Sequence, residues 1–166
     1  MKLQNFRLPE NFRGRPAAYV VLWDLVNALL FKPSPKIAYG WRRFLLRIFG
    51  AKIGKGVLIR PSVSVTYPWK LKVGDFSWVG DQVTLYTLDT IEIGKNSVIS
   101  QHSYVCTGTH DFGSEYFDIR AVPIKIGNGT WIAYGCFLGP GIKIGDNCFV
   151  QALSKVTQNV GDNQKI

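Results

Sequence analysis

The chain has 166 residues, of which 46% are hydrophobic and 19% charged, and its formal net charge is +9. This length and apolar content indicate one folded domain and exclude a disordered chain. The charge is uneven: residues 1–60 hold twelve Lys or Arg against two acids, whereas residues 61–166 hold eight against nine. A basic N-terminal third is typical of contact with an anionic surface, and a solvated basic face is the plainer alternative.

The first predicted element is a helix over residues 17–31, AAYVVLWDLVNALLF, interrupted by Asp24 and Asn27. Fifteen helical residues measure about 22 Å, which is short of the roughly 30 Å hydrocarbon core of a membrane. No cleavage site of small residues follows, so a signal peptide is not expected. The stretch predicts a helix that is buried or lies at an interface.

A second helix is predicted over residues 41–49, WRRFLLRIF. Its apolar residues recur at the spacing of one helix face, and they are Trp41, Phe44, Leu45 and Ile48. The arginines Arg42, Arg43 and Arg47 lie outside this stripe. Two interpretations are open: the stripe lies in a membrane interface, or it packs on the rest of the fold.

From Ile53 onward the sequence repeats every six residues. Fifteen positions spaced by six are aliphatic: Ile53, Ile59, Val65, Val73, Val79, Leu85, Ile93, Ile99, Val105, Ile126, Ile132, Leu138, Ile144, Val150 and Val156. A glycine follows the first aliphatic of each group of three: Gly54, Gly74, Gly94, Gly127 and Gly145. The pattern predicts a triangular parallel solenoid in which each hexad forms one side, with the aliphatic side chain inside. We expect the glycines to allow a positive φ at tight corners.

One coil is interrupted between Ile93 and Ile126. The insertion covers residues 111–123, DFGSEYFDIRAVP, and directly follows His110. A long loop in a tight solenoid is where function concentrates. The three cysteines, Cys106, Cys136 and Cys148, have neither disulfide nor zinc spacing, so reduced thiols in the cytosol and no metal site are expected.

The hexads, with VCTGTHD at 105–111 and IGNGTWIAYGCFLGP at 126–140, resemble the hexapeptide-repeat acyltransferases. The N-terminal FRGRPAAYVVLW and RRFLLRIFGAKIGKGV make the chain similar to O-acetyltransferases of the colanic-acid-biosynthesis type. This resemblance implies an all-β fold, a single-stranded left-handed parallel β-helix over residues 51–166, preceded by short α-helices in a basic region, residues 1–50. It also implies acetyl-CoA as donor, a sugar hydroxyl in bacterial exopolysaccharide synthesis as acceptor, and homotrimers with active sites between subunits.

The resemblance assigns roles to individual residues. His110 matches the catalytic histidine, and an imidazole can take the proton of a sugar hydroxyl as that hydroxyl attacks a thioester. The positions matched to donor binding are Trp131, Gly135, Ala152 and Thr157, with the backbone N–H of Gly135 as a candidate oxyanion donor. The positions matched to the acceptor are Gln82, Tyr86, Asp89, Asp111 and Glu115. The carboxylate that orients His110 is left open among Asp111, Glu115 and Asp118.

The chain departs from the family pattern near its C-terminus. Ala152-Leu153-Ser154 replaces a small-Gly-Ser segment, and Gln158 stands where a lysine would meet a CoA phosphate. The short segment 159–166 predicts a solenoid end that is uncapped or covered by the trimer. These departures keep a second function open, a non-catalytic solenoid acting as a membrane-associated scaffold or binding module.

The sequence lacks the residues or motifs that two other classes of protein need, zinc-dependent hexapeptide enzymes and nucleic-acid-binding proteins. Two histidines in the whole chain exclude the three-histidine zinc site of hexapeptide carbonic anhydrases. No nucleic-acid-binding module is recognised. We expect a cytoplasmic protein, peripheral at the inner face of the cytoplasmic membrane, that takes a sugar or lipid-linked sugar as acceptor.

Overall fold

The computed structural model describes residues 2–166. An N-terminal arm, residues 2–16, contains a short 3₁₀ helix at Leu3–Asn5 and leads into helix α1, Ala17–Val26. A π-helical turn, Asn27–Phe31, continues α1, and helix α2 spans Tyr39–Ile48. The first predicted helix therefore has the expected bounds, and the second begins two residues before its predicted start. Within residues 2–166 no helix combines the length and apolarity needed to cross a membrane.

The rest of the chain forms a solenoid with three parallel five-stranded sheets, which makes five coils. Face A consists of β1 (Lys52–Ile53), β4 (Leu71–Val73), β7 (Ile91–Ile93), β12 (Ile124–Ile126) and β15 (Lys143–Ile144). Face B consists of β2 (Leu58–Ile59), β5 (Trp78–Val79), β8 (Val98–Ile99), β13 (Trp131–Ile132) and β16 (Phe149–Val150). Face C consists of β3 (Ser64–Val65), β6 (Thr84–Tyr86), β9 (Tyr104–Cys106), β14 (Phe137–Leu138) and β17 (Lys155–Val156). The AB, BC and CA corners join these faces in that order. The predicted solenoid is confirmed.

The interior is filled by the fifteen aliphatic residues of the repeat, none of which is more than 7% exposed. They are in register from coil to coil, as in the pairs Ile53 with Val73 and Ile132 with Val150. Because side chains alternate along a strand, the neighbours of each aliphatic residue point outward. The spacing of six thus identifies fifteen residues of the core, and other buried residues such as Leu71, Ile91 and Ile124 complete it.

The glycines that follow the first aliphatic residue have a different role from the one expected. None of them has a positive φ, so corner geometry does not require them. Instead, the coils approach so closely that a Cβ on Gly74 would lie 2.6 Å from the carbonyl carbon of Gly94. A Cβ on Gly94 would lie 2.5 Å from the carbonyl carbon of Gly127. These positions need glycine because backbone stacks directly on backbone.

Small polar side chains complete the same AB corner from inside. The buried hydroxyl of Ser77 donates to the carbonyl of Gly94 at 2.6 Å, and Ser97 donates to Gly127 at 2.7 Å. Thr130 repeats the bond to Gly145 at 2.8 Å. Each of coils two to four is therefore tied to the next by a hydrogen bond in addition to the strand ladder, and the buried hydroxyls have partners.

Helices α1 and α2 cover the first coil and form what we call the helical cap, residues 17–48. Trp23, Phe31, Leu45 and Leu46 are buried in one core with the interior residues of the solenoid. The division of the chain into regions 1–50 and 51–166 stays a prediction. The shared core means that the two regions pack on each other.

The arginines of α2 point toward the solenoid, and Trp41, Phe44 and Ile48 are exposed. Of the two open interpretations, the one in which the whole stripe packs on the fold is therefore wrong. Arg42 donates to the carbonyl of Ile59, Arg43 to that of Val57 and Arg47 to that of Ile53. The indole of Trp23 donates to the carbonyl of Val65 in the same way. These carbonyls face the end where no earlier coil exists, so side chains supply the missing donors.

The far end of the solenoid is partly covered by the chain's own residues. Val160 pairs with Ile144 on face A, and Lys165 pairs with Phe149 on face B. Residues 159–166, which were expected to leave the solenoid end uncapped or covered by the trimer, thus begin a sixth coil along faces A and B.

The predicted excursion is a hairpin at the CA corner of the third coil. Strand β10, Gly108–His110, pairs antiparallel with β11, Ile119–Ala121, and His110 stands opposite Ile119. The excursion therefore begins three residues before residue 111 and is ordered by strand pairing. We call residues 108–121 the excursion hairpin.

Candidate active site

His110 lies exposed at the end of β10, and one of its ring nitrogens is held by backbone. Nδ1 is 2.9 Å from the carbonyl oxygen of Phe117. A carbonyl oxygen can only accept, so this contact requires the proton on Nδ1. Nε2 then carries a free lone pair, which is the tautomer that a general base needs.

Aromatic rings fix the plane of the His110 imidazole. The ring stacks on Phe117 with centroids 4.1 Å apart and an angle of 7° between planes, and Phe6 of the N-terminal arm lies 6.0 Å away. Phe117 has a φ of 53°, in the left-handed region that is costly for a bulky residue. Strain of this kind persists where the surroundings hold it, and here it aims a carbonyl at the catalytic candidate.

None of the three carboxylates proposed to orient His110 bonds to it. Asp111 forms an ion pair with Arg120, Glu115 pairs with Lys2 at 2.6 Å, and Asp118 accepts from the hydroxyl of Ser114. The Phe117 carbonyl takes the orienting role instead. The carboxylates hold the excursion hairpin in shape, and Glu115 fastens the N-terminal arm to it.

Two of the expected acceptor-side residues lie at the same CA corner. Tyr86 ends β6 and packs beneath the hairpin, where a Cβ on Gly108 would lie 2.9 Å from its ring. Burial raises the pKa of Tyr86, so its hydroxyl stays protonated near neutral pH. The backbone N–H of Asp89 donates to the hydroxyl of Thr107, at the base of the hairpin. Tyr86, Asp89 and the excursion hairpin therefore share one surface.

The residues matched to donor binding lie mostly elsewhere. Trp131 is on face B, half exposed, and its indole donates to the hydroxyl of Ser100 at 2.9 Å. Gly135, with a φ of 67°, and the exposed Ala152 occupy the BC corner of the fourth and fifth coils. The exposed Thr157 follows β17 and begins the CA corner of the fifth coil.

One expectation needs adjustment at the BC corner. The N–H of Gly135 donates to the carbonyl of Gln101 at 3.0 Å, so it is engaged in the coil-to-coil ladder and is not a free oxyanion donor. Gln82 sits at this corner with a φ of 57°, one face away from His110. The backbone N–H of Gln82 donates to the hydroxyl of Ser62 at 3.0 Å, and its acceptor-side role stays a prediction.

The candidate residues thus form two sets, one at the CA corner and one on face B and the BC corner. Face C separates them. A side of six residues at a rise of about 3.3 Å per residue spans up to about 20 Å. One chain therefore does not bring His110 and Trp131 to the same point. Among residues 2–166, no group of three His, Cys, Asp or Glu is placed to hold a metal ion.

Comparisons with known proteins identify the family. The model of the bacterial transferase hexapeptide (six repeats) matches residues 123–158. The colanic acid biosynthesis acetyltransferase WcaF of Escherichia coli K12 is 55% identical over 161 residues, which cover 97% of this chain and 88% of WcaF. The chain belongs to this acetyltransferase family.

Solved structures share the fold of this family member. A maltose O-acetyltransferase from Clostridium difficile 630 superposes with a TM-score of 0.83 at 24% identity, covering 95% of this chain and 83% of that one. A hexapeptide-repeat acetyltransferase from Vibrio cholerae, complexed with acetyl coenzyme A, superposes with a TM-score of 0.82 at 20% identity. That superposition covers 98% of this chain and 88% of the Vibrio protein. The likeness extends through the helical cap as well as the solenoid.

Sequence reasoning located His110 but missed the residues that orient it. Phe6 and Phe117 belong to no motif: Phe117 stacks on His110 within the hairpin, and Phe6 contacts it from the N-terminal arm. The orienting group of Phe117 is a backbone carbonyl, which every residue carries, so no residue type could have signalled it.

Proposed function

We propose that this protein is an acetyl-CoA-dependent O-acetyltransferase in which His110 is the general base, acting on a sugar hydroxyl during bacterial exopolysaccharide synthesis. The observation that carries the proposal is the contact from Nδ1 of His110 to the Phe117 carbonyl, which leaves Nε2 exposed as a base. The 55% identity to WcaF supports the reaction class and the polysaccharide context.

The proposed reaction needs one base and one acyl donor. The sugar hydroxyl oxygen attacks the thioester carbonyl carbon while Nε2 of His110 accepts the hydroxyl proton. When the tetrahedral intermediate collapses, the C–S bond breaks and the imidazolium returns its proton to the CoA sulfur. Proton transfer by a positioned side chain contributes about 10²–10⁴-fold to such a rate.

We propose a homotrimer whose active sites form between copies. The two separate sets of candidate residues support this, because a second copy can bring its face B to the CA corner of the first. Face B carries exposed aromatic rings at Trp78 and Trp131, 54% and 50% exposed, suited to such a contact. Phe112, at 84% exposure in the excursion hairpin, is a fitting anchor on the other side.

We place the acceptor, a lipid-linked or nucleotide-linked sugar, at the inner face of the cytoplasmic membrane. The basic N-terminal third and the exposed apolar side chains of the helical cap support peripheral contact with that membrane. In this arrangement the Gly135 N–H does not serve as the oxyanion donor, and Trp131, Ala152 and Thr157 contact the donor.

Thermal unfolding with and without acetyl-CoA tests the donor side without knowledge of the acceptor. A ligand at 100 times its Kd adds about 2.7 kcal/mol of stability. For a chain of this size, that raises Tm by roughly 5–10 °C. Free adenosine is the control and is expected to give no shift. An unchanged Tm with acetyl-CoA would contradict the proposal and favour the non-catalytic solenoid, since Gln158 replaces the expected lysine.

A further inference from the structure

We propose that the outer face of the helical cap is a binding surface for anionic lipid, and that it sets the solenoid upright on the membrane. This inference rests on the membrane placement proposed above and names the surface and the lipid chemistry. The surface consists of the exposed apolar side chains of α1, the π-helical turn and α2: Val21, Leu22, Leu25, Leu29, Leu30, Trp41, Phe44 and Ile48.

The helical cap is apolar on both of its sides. Trp23, Phe31 and Leu46 of the inner side are at most 1% exposed against the solenoid. On the outer side, Leu29 is 69% exposed and Phe44 is 51% exposed. A surface helix normally has one apolar and one polar side, so a cap that is apolar on both sides has a second surface to bury.

The outer side chains form one continuous surface. The indole of Trp41 on α2 donates to the carbonyl of Leu30 at 3.0 Å, which joins the two helices at their near ends. Trp41 stacks on Phe44 with centroids 5.7 Å apart, and Ile48 follows one turn later. Because the indole N–H is already bonded within the cap, the remainder of the ring can enter an apolar phase without losing a hydrogen bond.

The charge around this surface favours anionic lipid over a second copy of the chain. Lys32 and Lys36 are exposed in the connection between the helices. Asp24 is the one acidic residue among residues 17–48. Two copies docked through this surface would bring like charges together, whereas an anionic bilayer neutralises them.

The arrangement explains how an active site on a solenoid could reach a membrane-bound sugar. The coils stack away from the helical cap at about 4.8 Å per coil, and His110 belongs to the third coil. Adding one helix layer of about 10 Å places His110 roughly 20 Å from the lipid surface. The sugar end of a lipid-linked acceptor is a group that projects into this zone.

Co-sedimentation of the full-length protein with vesicles tests the inference. We expect binding to vesicles of phosphatidylglycerol and phosphatidylcholine, and weaker binding to pure phosphatidylcholine or at 1 M salt. Leu29→Glu should reduce the partition coefficient at least about tenfold, because it places a charge in the apolar surface. Leu153→Glu is the matched control: Leu153 is 74% exposed at the other end of the solenoid, and the charge change is identical.

Three results would overturn the inference. The first is binding of Leu29→Glu equal to that of the unmodified protein, and the second is no binding by the unmodified protein. The third is self-association that Leu29→Glu abolishes, measured by light scattering, which would assign the surface to a second copy. The acetyl-CoA thermal shift of each variant is recorded in parallel. A shift retained by a protein that does not bind vesicles would refute this inference and leave the proposed acetyl transfer intact.

Discussion

The BC corner turns through a single residue with positive φ in each of coils two to five. These residues are Gln82, His102, Gly135 and Leu153, with φ between 57° and 67°. Only glycine takes this conformation without steric cost. At Leu153 little side-chain burial offsets this steric cost, because the side chain is 74% exposed. The fifth coil therefore has the most unfavourable of the four corners.

Leu153→Gly is expected to stabilise the protein. Relief of the left-handed conformation is worth about 1 kcal/mol, although the added freedom of the unfolded chain offsets part of it. Urea unfolding should show a higher midpoint with an unchanged slope. Asn147→Gly is the control: Asn147 also has a positive φ, 54°, but asparagine tolerates it, so a smaller change is expected. A lower midpoint for Leu153→Gly would contradict the strain argument.

Residue identities predicted more of the core than of the site. A buried aliphatic every sixth residue leaves a direct signal, and all fifteen positions were correct. The prediction that Gly74 and its equivalents allow a positive φ was wrong. They are needed because neighbouring coils come into close contact, and the sequence of a single coil does not show that contact. His110 was found through its motif. Its partner was not, because the Phe117 carbonyl depends on how the hairpin folds back.

Helix α2 acts as a substitute for the coil that would precede the first one. A coil inside the solenoid receives hydrogen bonds from the coil before it, such as Gly54 N–H to the carbonyl of Val73. At the first coil, the arginines of α2 provide these donors. Arg42 is fully buried, and besides Ile59 it donates to Pro35 and Lys36, so it also holds the connection between the helices. Burial lowers the pKa of Arg42, yet an arginine begins so high that it stays charged.

Arg42→Met should destabilise the protein strongly. The substitution keeps an apolar stem but leaves the buried carbonyl of Ile59 and the part-buried carbonyls of Pro35 and Lys36 without their donor, at an expected cost of about 3 kcal/mol. Arg43→Met is the matched control, because Arg43 is half-buried and bonds one carbonyl; about 1 kcal/mol is expected. Equal free energies of unfolding for the two variants, measured in urea, would argue against this role for Arg42.

The period of α2 was predicted correctly, but its orientation was not decided by the sequence. One open interpretation placed the apolar stripe in a membrane interface, and the other assumed that the stripe marks the side that packs on the fold. The solenoid end instead demands donors for carbonyls, which arginine supplies and leucine cannot. Trp41, Phe44 and Ile48 are consequently left on the outer side, while Leu45 alone of the stripe is buried.

At the scale of the whole molecule, the solenoid separates two groups that the proposed reaction would bring together. His110 is at the CA corner, and Trp131 is on face B. The hexad pattern gives the face on which a residue lies, but it does not give which copy completes a site. If each site takes His110 from one copy and Trp131 from the next, a copy substituted at His110 and a copy substituted at Trp131 can together form one intact site.

The central claim is tested most directly by transfer of labelled acetyl from acetyl-CoA to nucleotide sugars and to lipid-linked oligosaccharides. The account predicts that His110→Ala lowers transfer at least about 100-fold, and that Trp131→Ala lowers it at least about tenfold. Both variants should keep the unmodified circular dichroism spectrum. Trimers re-formed from an equal mixture of the two variants should recover about one quarter of the unmodified activity, because about one site in four then has both residues intact. Undiminished transfer by His110→Ala would contradict the mechanism, and no recovery in the mixture would contradict the shared site.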